Sequence, residues 1–501
     1  MNLNLAPPRI LPAIHIVGSP FDLIVVLIAA AVVVIAALFI VGTAANERER
    51  TLRLLFLYLT YGVLEIIVKR GAHYAWHLYL IKFGLFFAVL LSWWQWRQHT
   101  RSSVTRPPLA SVLGLYLALA GIQIFNPYQL NALVGAFGWL SDFIFAVFYF
   151  VAFDLFDDVT PVRRFLRLTA ILGVLSAIGC FTEQWIGPDQ LMLTYPAYVR
   201  LVHFGLEGAV YRPMALSAFS EIFGIAAMLG LMASRRVSIA SLLVLGAGIA
   251  ACTVANILHA VRISWLTGFA IVALFSVLSR QRRIVSLLLV IGSIMLAINV
   301  GMTVTDGLIS MQFESMTQPL KTFQDNRLRG LRSITTIVPA YPFGVGVGES
   351  SAGLRLIDAT GVTTFGVHNY LAELAAQLSI VGPLLLLAFC AGVVVTALRA
   401  SWNARPDERR AFVLVGVAIF GAVTATFFGG GGLGSYPLND YFWLMAGATM
   451  SLVQTRRSPV TAVGVTQHVR FRNLVPHAAA LRRTRLAPDR PGVGVQDGRR
   501  R

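Results

Sequence analysis

The sequence predicts an all-α, polytopic integral membrane protein with about 12–13 transmembrane helices and one large external loop between the later helices. Three observations carry this reading. Of 501 residues, 56% are hydrophobic and 13% charged, and the mean hydropathy is +0.71, more apolar surface than a soluble chain can bury. Runs such as Leu23 to Val41 are continuously apolar rather than alternating, so they read as helices and not as strands of a membrane barrel. Between the runs, every second connection is basic, which is the charge pattern of the cytoplasmic side.

Taken in order, apolar spans fall at about 22–42, 54–68, 78–96, 109–126, 132–153, 168–186 and 214–232. They continue at 238–257, 263–279, 284–304, 372–398, 411–429 and 439–454, the second span being short. Residues 1–454 thus form a membrane domain, and its longest polar segment, 305–367, is the large external loop. The first span is long and has no basic stretch before it, so a cleavable signal peptide is not expected. Residues 455–501 form a tail rich in Arg, Pro and Gly. Eleven Arg against Asp489 and Asp497 give it +9, half of the net +18. That composition predicts a disordered cytoplasmic tail in contact with anionic membrane lipids, with no nucleic-acid partner. If the tail is cytoplasmic, alternation puts the basic stretches at 48–53, 97–106, 163–167, 235–236, 280–283 and 399–410 on the same side. Cys180, Cys252 and Cys390 lie inside apolar runs and form neither a disulfide framework nor a metal-ligand spacing, so no metal and no cofactor are expected.

Cations on the external side run against the charge bias and are the more informative for it. They include Lys69 and Arg70 after the second span, Arg212 before the span at 214, Arg262 before the span at 263, and Arg329 and Arg332 in the large loop. A guanidinium donates two parallel hydrogen bonds to phosphate oxygens and stays charged at physiological pH. Two such groups at one membrane surface fit a lipid diphosphate; the alternative is snorkelling to lipid head groups. Ionisable residues within spans, among them Glu65, Lys82, Asp142 and Glu221, are candidates for lining a polar cavity. Glu221 follows Arg212 by nine residues and would lie deeper in the same cavity.

His368 closes the large loop where the span at 372 begins, a place where an imidazole can exchange a proton with a substrate or simply anchor a helix end. Beyond it, Asn369, Glu373 and Gln377 recur every four residues as a polar stripe, suited to a cavity wall or to a helix–helix seam. Within the loop, Pro342-Phe343-Gly344-Val345-Gly346-Val347-Gly348 lacks the Lys-Ser/Thr and strand–helix context of a nucleotide loop. It reads as a tight turn, or as backbone N–H groups offered to an anion.

These residues resemble the O-antigen ligase and O-antigen (exopolysaccharide) polymerase family of polytopic membrane glycosyltransferases. The likeness rests on His368-Asn369 with Leu371 and Gly382, on Pro342, Gly344, Gly346 and Gly348, and on Arg212 and Arg262. It spans about residues 60–450, and Glu65 with Lys69 and Arg70 is similar to the polymerase relatives. The family pattern departs at Met214 to Glu221 and at Val261, which stands where a Ser precedes the second Arg. The resemblance implies metal-independent transfer of a polyprenyl-pyrophosphate-linked glycan to an acceptor sugar hydroxyl at the outer face of the bacterial inner membrane. In that scheme Arg212 and Arg262 hold the donor pyrophosphate and His368 takes the acceptor proton. Glu221, Asn369, Lys69, Arg70, Arg329 and Arg332 contact substrate, and a chain-length regulator would be a further partner. An O-antigen ligase acting on lipid A core, and a non-enzymatic transporter or flippase of lipid-linked sugar, remain the alternatives. A metal-dependent enzyme with an acidic first external loop is disfavoured, because 69–77 contains no Asp or Glu.

Overall fold

The computed structural model describes residues 20–71, 77–100, 106–129, 131–187, 190, 201–203, 209–211, 218–234, 237–259, 262–279, 329–348, 369–402, 404–405, 407–428, 433 and 437–457. Helix dominates them. In chain order the elements are α1 (Pro20–Thr43), α2 (Glu47–Gly71), α3 (His77–Thr100), α4 (Ala110–Ile122), α5 (Ala132–Asp142), α6 (Phe148–Leu155) and α7 (Val159–Ile186). There follow α8 (Ala218–Met232), α9 (Ile239–Leu258), α10 (Arg262–Ser279), the short α11 (Arg329–Arg332) and α12 (Ile334–Ala340), then α13 (Tyr370–Leu378), α14 (Val381–Trp402), α15 (Glu408–Thr426) and α16 (Leu438–Arg457). Several starts are set by side chains that accept a backbone N–H: Asn131 from Val134 at 2.9 Å, Ser238 from Ser241 at 3.2 Å and Asp407 from Arg410 at 2.8 Å.

By length and composition, α7, α9, α14 and α15 are able to cross a membrane, and a fifth span results if α5 and α6 count as one. Helix stands at every expected span except 284–304, which lies outside the described residues. Two expectations need correction. The span expected at 132–153 is bent by 42° between α5 and α6, and the Asp142 carbonyl at the bend accepts from Asn439 Nδ2 at 3.1 Å instead of continuing a helix. The span expected at 372–398 is two helices, broken where Ser379 takes φ 61. The all-α class holds for the described residues, with one short antiparallel hairpin in addition, β1 (Leu201–His203) and β2 (Ala209–Tyr211), in which Val202 stands opposite Val210.

The core sits where α8, α15 and α16 meet, since almost every residue along these helices is buried. Tyr441 of α16 stacks on Phe223 of α8 with ring centres 4.9 Å apart and on Phe165 of α7 at 5.8 Å. One close helix approach pairs two glycines: a Cβ on Gly173 of α7 would stand 2.7 Å from the Cα of Gly224 in α8, a contact that small residues permit. At one end of the bundle, ion pairs join the starts of α2, α7 and α15 to the ends of α3 and α6. Arg163 Nε donates to Glu408 at 2.6 Å, Arg164 lies 3.2 Å from Glu49, His99 lies 2.8 Å from Glu47, Arg97 lies 3.8 Å from Asp154, and Arg48 pairs with Asp157.

Candidate functional site

The opposite end of the bundle holds the polar features, beginning with the glycine run. Gly344, Gly346 and Gly348 all have positive φ, at 84°, 99° and 107°, a conformation that side chains resist. The irregular segment they form threads between helices. Val345 N donates to Ala376 O in α13 at 2.8 Å, Gln123 Nε2 reaches Phe343 O at 2.6 Å and Asn126 Nδ2 reaches Gly344 O at 3.0 Å. The alternate residues Val345 and Val347 are buried. A Cβ on Gly344 would stand 2.5 Å from Gln377 O and one on Gly348 2.5 Å from Val134 O, so only glycine fits there. The run is therefore a wedge of buried backbone between α5 and α13, and the α13–α14 break opens where Gly344 presses on Gln377 and Ser379.

Asn369 begins α13 and ties it to α15. Its Oδ1 accepts from Ala372 N at 3.1 Å and its Nδ2 donates to Phe428 O at 2.8 Å, with the side chain buried. Along the stripe, Gln377 is buried and Glu373 half-buried. For Asn369 the stripe is a seam between helices, as these two bonds consume its polar atoms.

Glu221, in the first turn of α8, is fully buried. Its Oε1 lies 2.8 Å from His259 Nε2 and accepts from Ser176 Oγ at 3.3 Å. Asn256 stands beside the carboxylate, and Asn256 Oδ1 accepts from Ser264 Oγ at 3.2 Å. The imidazole gives the buried carboxylate a hydrogen-bonding partner, without which its burial would be expensive. The nest joins α7, α8, α9 and α10. It lies where α9 ends and Arg262 opens α10, and it orients that helix start.

A second buried pair lies among α2, α3 and α16. Lys82 Nζ is 3.3 Å from Asp440 Oδ2, Tyr58 OH donates to Asp440 Oδ1 at 2.7 Å, and the ammonium sits 4.9 Å from the ring centre of Phe145. Among the described residues, no three His, Cys, Asp or Glu side chains are grouped as metal ligands.

Of the residues singled out from sequence, His368 and Arg212 lie outside the described residues. Lys69 and Arg70 end α2, Arg262 begins α10 and Arg329 begins α11; their side chains are outside the described set. Arg332 is exposed at the end of α11. The structure thus joins Asn369 to the glycine wedge through α13 and Glu221 to His259. Sequence reading missed His259 and Ser176 as partners of Glu221, and Asp440 as the partner of Lys82. The only advance signal was that an ionisable residue in an apolar helix needs a partner. Comparison of the chain with protein-family models, with curated proteins and with solved structures found no match in any of the three.

Proposed function

We propose that the chain is a polytopic glycosyltransferase of the bacterial inner membrane, a cell-surface polysaccharide polymerase of the O-antigen ligase and polymerase type. Its donor is a polyprenyl-pyrophosphate-linked glycan and its acceptor a sugar hydroxyl at the outer face. About 12–13 helices cross the membrane and the Arg-rich tail is cytoplasmic. In this scheme Arg212 and Arg262 bind the pyrophosphate and stabilise the charge that develops as the glycosidic bond breaks. His368 removes the acceptor proton as general base. The observation that carries the reading is the docking of the glycine wedge on α13: two of the three features behind the family resemblance, 342–348 and the helix following His368, pack as one unit through the Val345–Ala376 hydrogen bond. A family's separate motifs meeting in space is what a shared site requires. The ion pairs at the other end join the helix ends that carry the basic loops, in accord with that end being cytoplasmic.

The test is His368→Ala in cells, with insertion checked and lipid-linked glycans analysed. Single repeat units accumulating on the outer leaflet support a polymerase. Intact polymer that fails to reach lipid A core supports the ligase alternative. Units held on the inner leaflet indicate a flippase, and normal long polymer removes His368 from the mechanism.

A further inference from the structure

Away from the polar end, α1, α2 and α3 enclose a groove of about 530 Å³. Its walls are apolar and partly small: Val33 and Ala37 from α1, Leu54 from α2, and Gly84, Ala88 and Leu91 from α3. The α3 wall runs from Ile81 to Gln95, about 21 Å at 1.5 Å per residue. That length suits a single extended hydrocarbon chain in one half of a bilayer.

Arg50, Ser92 and Gln95 line the groove at the end where the ion pairs lie. Arg50 Nε donates to Ser92 Oγ at 3.1 Å and Nη2 to Gln95 Oε1 at 2.9 Å, both neutral acceptors. Among the described residues Arg50 has no carboxylate within ion-pair distance, whereas its neighbours are compensated, Arg48 by Asp157 and Arg53 by Glu49. The nearby Glu47 and Glu49 are themselves engaged, by His99 and by Arg53 and Arg164. A half-buried guanidinium held in place by neutral partners, with Nη1 unbonded among the described residues, is short of one anion. We propose that the α1–α3 groove is a binding site for one anionic phospholipid, its acyl chain along Gly84 and Ala88 and its phosphate on Arg50. The site uses the membrane reading of the bundle and is independent of the glycosyl-transfer chemistry.

The test uses the full-length protein in detergent, exchanged with mixed micelles of palmitoyl-oleoyl phosphatidylglycerol and phosphatidylcholine, with retained lipid counted by native mass spectrometry. The wild type should keep phosphatidylglycerol over phosphatidylcholine by about fivefold, the effect of one Arg at an anionic surface. Arg50→Gln should erase that preference while still retaining lipid. Gly84→Leu should lose both lipids: a Cβ there meets nothing within 4 Å, so the new side chain enters the groove without displacing the fold. Arg53→Gln removes an equal charge that is already paired and should match the wild type. The proposal is overturned if Arg50→Gln keeps the preference, if Arg53→Gln loses it as well, if Gly84→Leu retains lipid as before, or if excess inorganic phosphate displaces the lipid and reveals a site for a free anion.

Discussion

Replacing Gly344 with Ala tests the glycine wedge most directly. The added Cβ has to adopt a φ of 84°, which disfavours an L side chain by about 1–2 kcal/mol. It would also meet Gln377 O at 2.5 Å and Ser379 N at 3.0 Å. Both are backbone atoms, so no rotamer change relieves the clash and the wedge has to withdraw. Withdrawal breaks the Val345–Ala376 bond and those from Gln123 and Asn126 to the wedge carbonyls, each worth about 0.5–1.5 kcal/mol. The total is a loss of about 2.5–6.5 kcal/mol. Gly348→Ala should behave alike, because its Cβ meets Val134 O. At Gly346 the Cβ meets only the Gln129 side chain, which can move at the expense of its bond to Gln123 O, so Gly346→Ala should lose about 1–2 kcal/mol from φ and about 0.5–1.5 kcal/mol from that one bond. The assay is denaturant unfolding of purified protein in detergent, read by tryptophan fluorescence. Equal damage at positions 344 and 346, or an unchanged midpoint for Gly344→Ala, refutes the claim that backbone contact fixes these glycines.

Two further outcomes follow from the buried polar groups. Lys82→Met or Asp440→Asn alone leaves one charge stranded and should lower stability by about 3–5 kcal/mol, whereas the double variant should recover most of that; additive losses in the double-mutant cycle would show the pair is not coupled. Asn369→Ala removes the N-cap of α13 and leaves Phe428 O without its donor, a loss of about 1–2 kcal/mol that Asn369→Asp should only half restore, since Asp can cap but cannot donate; equal stability of the two variants counts against the seam.

The long helices were legible because each contains an apolar run long enough to declare itself; α11 and α12, of four and seven residues, lie in the segment read as loop and were not. Nor were the breaks. In the run after Leu374, Gly382-Pro383 signals a helix start, but the break at Ser379 also lies against Gly344, thirty-five residues earlier in the chain, a contact no local pattern reveals. Likewise the bend after Asp142 depends on Asn439, which satisfies the freed carbonyl from almost three hundred residues away. For the candidate site, sequence pattern found single groups and could not pair them. Glu221 was visible as an expensive residue in an apolar helix, but His259 sits 38 positions later, at no helical repeat, and Lys82 and Asp440 are 358 apart. The glycine run was the reverse case. Its alternation was plain, and its use as buried backbone rather than a surface turn depended on the small Gly138 opposite Gly348.

The ion pairs at the basic end carry a consequence for biogenesis. Arg48, Arg163 and Arg164 are matched in the finished bundle to Asp157, Glu408 and Glu49, partners that in two of the three cases come from later parts of the chain, so they carry little uncompensated charge once folding is complete. During insertion Glu408 has not yet been made when Arg163 emerges, and acidic residues weigh little in orienting a helix. If this end is cytoplasmic, the same guanidinium acts first as a retention signal that sets orientation and later as a clasp that closes helices already oriented. Exchanging Arg163 and Glu408 would then keep the clasp and change the signal, which separates the two duties within one residue pair.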